Sequence, residues 1–351
     1  MQQADGPRNP RWRRRPEHST WGDFGPDDEL GRLNLLTPQK LLEGVAEVRE
    51  GLNFCLSLPL DLPGGNALAS TRFPPRLKPM GSESAPTMNF RMNRMTPGAT
   101  DVVCDDAVEL CLQYSTQWDA LSHVGQMFDL DGEGRVEKAY YNGWRGGDDI
   151  VDPHAAKFNG KSVGAHRMGI DRMAVKAIQG RAVLIDLAKH FGETPVLVGF
   201  EELARILEED HVVVEEGDIL CLYTGFADMI LAMGGEPDRH RLHNSCASLN
   251  GRDQRLLDWI TRSGIAAITA DNFAVEAHPA APCAHGAETF SVLPLHDHCL
   301  FRLGVPLGEL WYFGELGPAL RARGRSRFFL TAPPLRLPRA VGSPVTPVGA
   351  I

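Results

Sequence analysis

No apolar run in this chain approaches the roughly 18 residues expected of a membrane helix, so neither a spanning segment nor a membrane partner is expected. Positive charge is in short supply as well. Lys and Arg number 36 against 45 Asp and Glu, a formal net charge of −9. A nucleic-acid partner needs a basic surface to engage phosphates, and none is expected here. Seven cysteines include no CxxC pair, and Cys221 lies within the apolar run ILCLY. That pattern reads as free, mostly buried thiols in a reducing cytoplasm. Arg11, Arg13, Arg14 and Arg15 are followed by no apolar stretch or small-residue cleavage site, so no secretory signal is expected. There is no internal repeat at solenoid or propeller spacing.

What remains is the composition of a soluble globular protein, 43% hydrophobic and 23% charged, and at 351 residues long enough for a large core. Residues 1–20, polar and rich in Pro and Arg, read as a flexible arm, and residues 21–351 as one domain. A helix is expected from Pro38 to Arg49, with Thr37 as N-cap and Leu41, Leu42, Val45 and Val48 on one face. Residues 54–60 read as a strand. Residues 63–100 form a long excursion with little periodicity, functional or else mobile, and 129–160 read as a loop. Apolar strands at 182–186, 218–224, 265–270 and 328–331 alternate with helices near 199–208 and 252–262. That alternation indicates an α/β protein.

The densest chemistry lies in residues 113–123, QYSTQWDALSH, at the end of a β-like run over 108–114. Gln113, Ser115, Gln117, Asp119, Leu121 and His123 share one parity, so a strand running on would set them on one face. That face offers a carboxylate, an imidazole and two amides, enough to hold a cation or a polarised water. The same spacing also describes a solvated strand edge. Trp118, of opposite parity, faces either a substrate or the core.

The segment resembles a variant of the signature of the cyclase family, which includes kynurenine formamidases and isatin hydrolases. The family pattern is His-x-Gly-Thr-His-x-Asp-x-Pro-x-His. Thr116, Asp119 and His123 match it, Gln113 and Gln117 replace the first two histidines, and Ser115 and Leu121 replace the glycine and the proline. Further blocks resemble the family in the same order: WGD from Trp21, LGRLNLLTP from Leu30, GRAVLID from Gly180, GDILCLYTG from Gly217, ADNFAVE from Ala270, PLH ending at His296, and GVPLGE ending at Glu309.

The resemblance implies a swivelling β/β/α fold, a mixed sheet with flanking helices. It also implies a small-molecule substrate and a homodimer or homotetramer. In metal-using relatives the first two histidines and the aspartate of the signature bind Zn or Mn, and a downstream His and Glu can bind a second ion. Carried over, Asp119, His296 and Glu309 are the implied ligands, and His123 the implied general acid/base. The positions of Gln113 and Gln117 do not carry over, because an amide oxygen is a weaker ligand for these ions than imidazole. One divalent metal, Mn or Zn, is therefore expected at most, with Gln117 as an extra ligand or an orienting group. In a metal-free alternative the glutamines donate to a substrate carbonyl. Gln113, Thr116, Trp118, Thr224 and Gly225 are expected to contact substrate. The expected reaction is hydrolysis of an amide or lactam. Ring closure or dehydration of a natural-product intermediate, and non-catalytic binding, are the alternatives.

Overall fold

The computed structural model describes residues 11–283 and 288–351. Nine strands form the main sheet: β1 (Asn53–Cys55), β2 (Gln117–Asp119), β3 (Gln179–Asp186), β4 (Ile219–Tyr223), β5 (Ala267–Ala270), β6 (Leu307–Glu309), β7 (Arg327–Thr331), β8 (Gly342–Pro344) and β9 (Val348–Ala350). Their order is β1-β9-β7-β3-β4-β5-β6-β2-β8. The centre, β3 to β6, is parallel, and both flanks are antiparallel.

Parallel strands are covered on both faces, and the sequence shows why these are. Val183 and Ile185 of β3 enter one core with Leu220 and Leu222 of β4, while Ala182 and Leu184 enter the other with Ile219 and Cys221. The first core is covered by the helices Phe200–Glu209 and Gln254–Ser263, through Leu203, Ile206, Leu256 and Ile260. The second holds Trp118, Trp311, Phe313 and Phe328. The α/β organisation expected from the alternation, and the mixed sheet with flanking helices that the resemblance implies, are thus present. No described helix is long and apolar enough to cross a membrane.

Four local expectations need correction. The first helix, α1 (Pro38–Val45), is capped by Thr37, which accepts from the Lys40 N–H at 3.2 Å, but it ends before Val48 and turns its apolar stripe outward. Leu42 and Val45 are exposed, and Lys40 and Gly44 face inward. Backbone contact decides this. A Cβ at Gly44 would stand 2.6 Å from the Gly180 carbonyl carbon, so the helix rests directly on β3 as only glycine permits. Lys40 can then reach buried Asp218 at 3.3 Å, which also accepts from Arg181 Nε at 2.8 Å.

The run leading into residues 113–123 is not one strand. Asp106–Glu109 pairs with Arg76–Pro79 in a separate ribbon that carries two further hairpins, Gly81–Ser82 with Ala85–Pro86 and Phe90–Arg91 with Val102–Val103. The supposedly aperiodic excursion is largely this ribbon, whose Leu77, Met80, Met95 and Val102 are exposed. The chain then turns, and only Gln117–Asp119 joins the sheet. Finally, the stretch read as a loop over 129–160 contains a helix, Pro153–Asn159, capped by Asp152.

Of the expected arm, residues 1–10 lie outside the described residues. Residues 11–20 are held to the body: Arg13 and Arg14 N–H groups donate to the Leu130 carbonyl at 2.8 and 3.0 Å, and Arg11 lies 3.7 Å from the Trp144 ring centroid. Beyond them, Gly31 meets Gly304 backbone to backbone. The Arg32 N–H donates to the Gly304 carbonyl at 2.7 Å, and a Cβ at Gly31, whose φ is +57°, would stand 2.1 Å from that oxygen. This contact seats the N-terminal segment at the end of the helical stretch 294–303, which carries His296.

Candidate metal centre

Strand register assembles the centre. Glu309 of β6 stands opposite Gln117 of β2, and Leu307 opposite Asp119. Directly opposed residues share a face, so Gln117, Asp119 and Glu309 project together while Trp118 projects the other way. The helical segment beginning at Pro294 lays His296 over that face. Asp119, His296 and Glu309 each offer a ligand atom, all within 4.8 Å of one another, and all three residues are buried.

The polar contacts are close. Gln117 Nε2 donates to Glu309 Oε2 at 3.0 Å and to Asp119 Oδ1 at 3.3 Å. His296 Nε2 lies 3.3 Å from Glu309 Oε1, and its Nδ1 lies 2.8 Å from Glu276 Oε1. Glu276 also accepts the backbone N–H groups of Leu295 and His296, so it fixes both the ring and the start of the helix. His123 stands at the rim, its side chain 22% exposed, with Nε2 3.8 Å from Asp119 Oδ1.

Burial sets the electrostatics. It raises the Asp119 carboxyl well above the usual carboxylate range, and the charge of Glu309 adds to the rise. It also works to raise Glu309, but the hydrogen bond and charge of His296 overcome it and hold that carboxyl low. Burial disfavours a charged His296; the bonds to Glu276 and Glu309 win and push the ring up to about 10. His123 has no such bond, and burial takes it down to about 4, so it is a neutral imidazole at pH 7.

The donor set fits a divalent cation. Two carboxylates and one imidazole are present, and two buried oxygens, Gln117 Oε1 and Asp119 Oδ2, have no hydrogen-bond partner. Acceptors left bare in a buried site call for a positive or proton-bearing guest. With Nδ1 tied to Glu276, Nε2 is the ring nitrogen facing the other ligands. A carboxylate behind a ligating histidine orients the ring and raises its basicity.

The structure does not bring every expected contact here. Gln113 is near: its amide Nε2 would lie 2.4 Å from a Cβ at Gly342, the residue paired with Asp119. Thr116 is a staple, its hydroxyl accepting from the Leu58 N–H at 2.9 Å and donating to the Leu310 carbonyl. Trp118 belongs to the second core, donating to the Ala332 carbonyl and meeting Trp311 edge-on at 5.1 Å. Thr224 and Gly225 form a turn on Asp271, which accepts both Thr224 donors at 2.7 Å and the Gly225 N–H at 2.9 Å. His298, on the far side of its helix from His296, meets Thr261 at 2.9 Å.

Asp271 also makes stability depend on pH. Burial pushes its carboxyl up to about 7 from an ordinary 3.8. The folded chain therefore holds this proton more tightly than the unfolded chain does. Its contribution falls as pH rises from about 4 to 7 and is level above that, by at most on the order of 4 kcal/mol. Thermal unfolding of Asp271→Asn at pH 5 and pH 8 should show a smaller loss of stability on the alkaline side than the wild type does. Equal losses would remove Asp271 as the source.

Comparison with known proteins follows the same lines. The model of the Cyclase family matches residues 54–277. A solved structure of a novel cyclase is 28% identical, covers 95% of this chain and 99% of its own, and superposes with a TM-score of 0.71. An isatin hydrolase bound to the product analogue thioisatinate is 14% identical, with coverage of 90% and 99% and a TM-score of 0.54. Isatin hydrolase A from Labrenzia aggregata, bound to benzyl benzoate, is 15% identical over 89% of this chain and 97% of that one, with a TM-score of 0.51. No protein of curated function matches the chain. The family model spans well over half of the sequence and includes Gln117, Asp119, His123 and Glu276, so the chain belongs to the Cyclase family.

Proposed function

We propose that this protein hydrolyses the C–N bond of an amide or lactam, of aryl-formamide or cyclic type, with one divalent cation, Mn or Zn, held by Asp119, His296 and Glu309. The carrying observation is the buried three-ligand cluster with two unpartnered oxygens beside it. A cation bound there supplies a more acidic water and a polarised carbonyl. The chain's own residues do the rest. Glu276 holds His296 in one ring orientation. Gln117 keeps the two carboxylates facing each other across the strand pair. His123, neutral at pH 7 and at the rim, takes a proton from water and returns it to the departing nitrogen. The exposed stripe of α1 and the apolar edge of the ribbon support self-association as a homodimer or homotetramer, and the free cysteines suit a reducing cytoplasm.

One observation favours a second reading. The Gln117 amide already bonds both carboxylates, which suits a metal-free site that guides ring closure or dehydration of a natural-product intermediate. Elemental analysis of untagged protein, followed by assay of formanilide and isatin after Mn or Zn loading, separates the two. About one cation per chain with hydrolysis supports the first. No cation after loading and no hydrolysis would sink it in favour of the second.

A further inference from the structure

Beside the centre stands a positive side chain with no ion-pair partner among the described residues. Arg72, half-buried, lies in the loop before the ribbon. Its Nη1 donates to the Gln113 carbonyl, and its guanidinium carbon sits 5.6 Å from the ring centroid of half-buried Phe273. Among the described residues its guanidinium donates to no other group, and no carboxylate lies within ion-pair distance of it. A guanidinium carries five N–H donors in a rigid fork, so most of them remain for a guest. Arg72 and Phe273 also line a crevice with Gly64, Leu68, Ala69 and Tyr114, whose 10 Å³ is about the room of one water. The Tyr114 hydroxyl pins the loop by donating to the Gly65 carbonyl at 2.9 Å.

The surroundings give this charge a purpose. Asp119, Glu276 and Glu309 place three carboxylates against the single buried imidazole of His296. A bound divalent cation and the Arg72 guanidinium would together offset that charge toward an anionic substrate. Arg72 shares its crevice with Tyr114, the residue after Gln113. It is also tied to Gln113, whose amide packs at Gly342 opposite Asp119.

We propose that Arg72 is the specificity residue that receives a carboxylate on the substrate, with Phe273 flanking an adjoining planar ring, so that the substrate is an aromatic acid carrying the scissile amide. A guanidinium binds a carboxylate through two parallel N–H donors, and an aromatic face beside it favours a flat, apolar body over a flexible chain. The proposal rests on the hydrolase reading for the scissile bond, but the recognition of the acid does not.

The test therefore reads binding apart from turnover. Calorimetric titration of Mn-loaded protein with 2-aminobenzoate and with aniline compares an acid with its uncharged counterpart, in wild type, Arg72→Met and Arg72→Lys. Wild type should prefer the acid. Arg72→Met should weaken 2-aminobenzoate about 10- to 100-fold, the scale of charge-assisted hydrogen bonds, leave aniline and the cation content unchanged, and Arg72→Lys should recover part of the loss. No preference in wild type, or equal weakening of both probes, would overturn the role of Arg72. Hydrolysis of 2-formamidobenzoate and formanilide, measured alongside, speaks only to the hydrolase reading. Discrimination in binding without turnover of either keeps Arg72 and discards the reaction.

Discussion

His123→Ala should lower kcat for amide hydrolysis by about two to four orders of magnitude, the usual worth of a positioned acid/base, while leaving the bound cation in place. The geometry separates these two effects. His123 is 3.8 Å from Asp119 Oδ1, beyond hydrogen-bond distance, and is not one of the three clustered ligands. Removing it takes away the proton carrier at the rim and leaves the cluster behind it untouched. Steady-state kinetics together with elemental analysis check this. A variant with full activity would end the assignment; one that also lost its cation would make His123 a ligand instead.

Asp119→Asn should do the converse and empty the site. Asp119 is central: one oxygen accepts from Gln117, the other is buried without a partner, and both neighbours in the cluster depend on it to complete a three-ligand set. Turnover and cation content should fall together to background. Thermal unfolding adds a sign. A ligand at 100 times its dissociation constant stabilises by about 2.7 kcal/mol, and Mn should raise the wild-type Tm accordingly but not that of the variant. Without cation the variant should be no less stable than wild type, because a buried carboxylate beside Glu309 costs the fold more than an amide does. A marked fall in that cation-free Tm would assign Asp119 to the fold rather than to the site.

The contrast between what the sequence discloses and what it conceals has a physical basis. The strands around 182–186, 219–223 and 267–270 and the helices 200–209 and 254–263 are legible because their apolar spacing is periodic and each is buried by its own pattern. The direction of α1 is not legible. Its outward apolar stripe follows from the fit of Gly44 on Gly180, a contact between distant parts of the chain. Parity holds over 117–119 but not across the whole of 113–123, since the ribbon ends the earlier strand before the signature starts. At the site, Asp119, His296 and Glu309 are found through family likeness and not through spacing. Glu276 reaches His296 across 20 residues, and Arg72 reaches Gln113 across 41, so neither pairing leaves a local trace. A buried acid just after a core strand, as Glu276 is, was the one available hint.

The back of β2 has a consequence for what the front can accept. Trp118 and Trp311 lock edge to face behind it, their indole N–H groups bonded to the carbonyls of Ala332 and Gln117. A strand braced in this way cannot breathe to suit its guest. Rigid ligands discriminate among ions by radius and preferred coordination number, where pliant ones would take whichever ion binds most strongly. Cation selectivity in this protein would then be set by the stiffness of two tryptophans packed in the core behind the ligands.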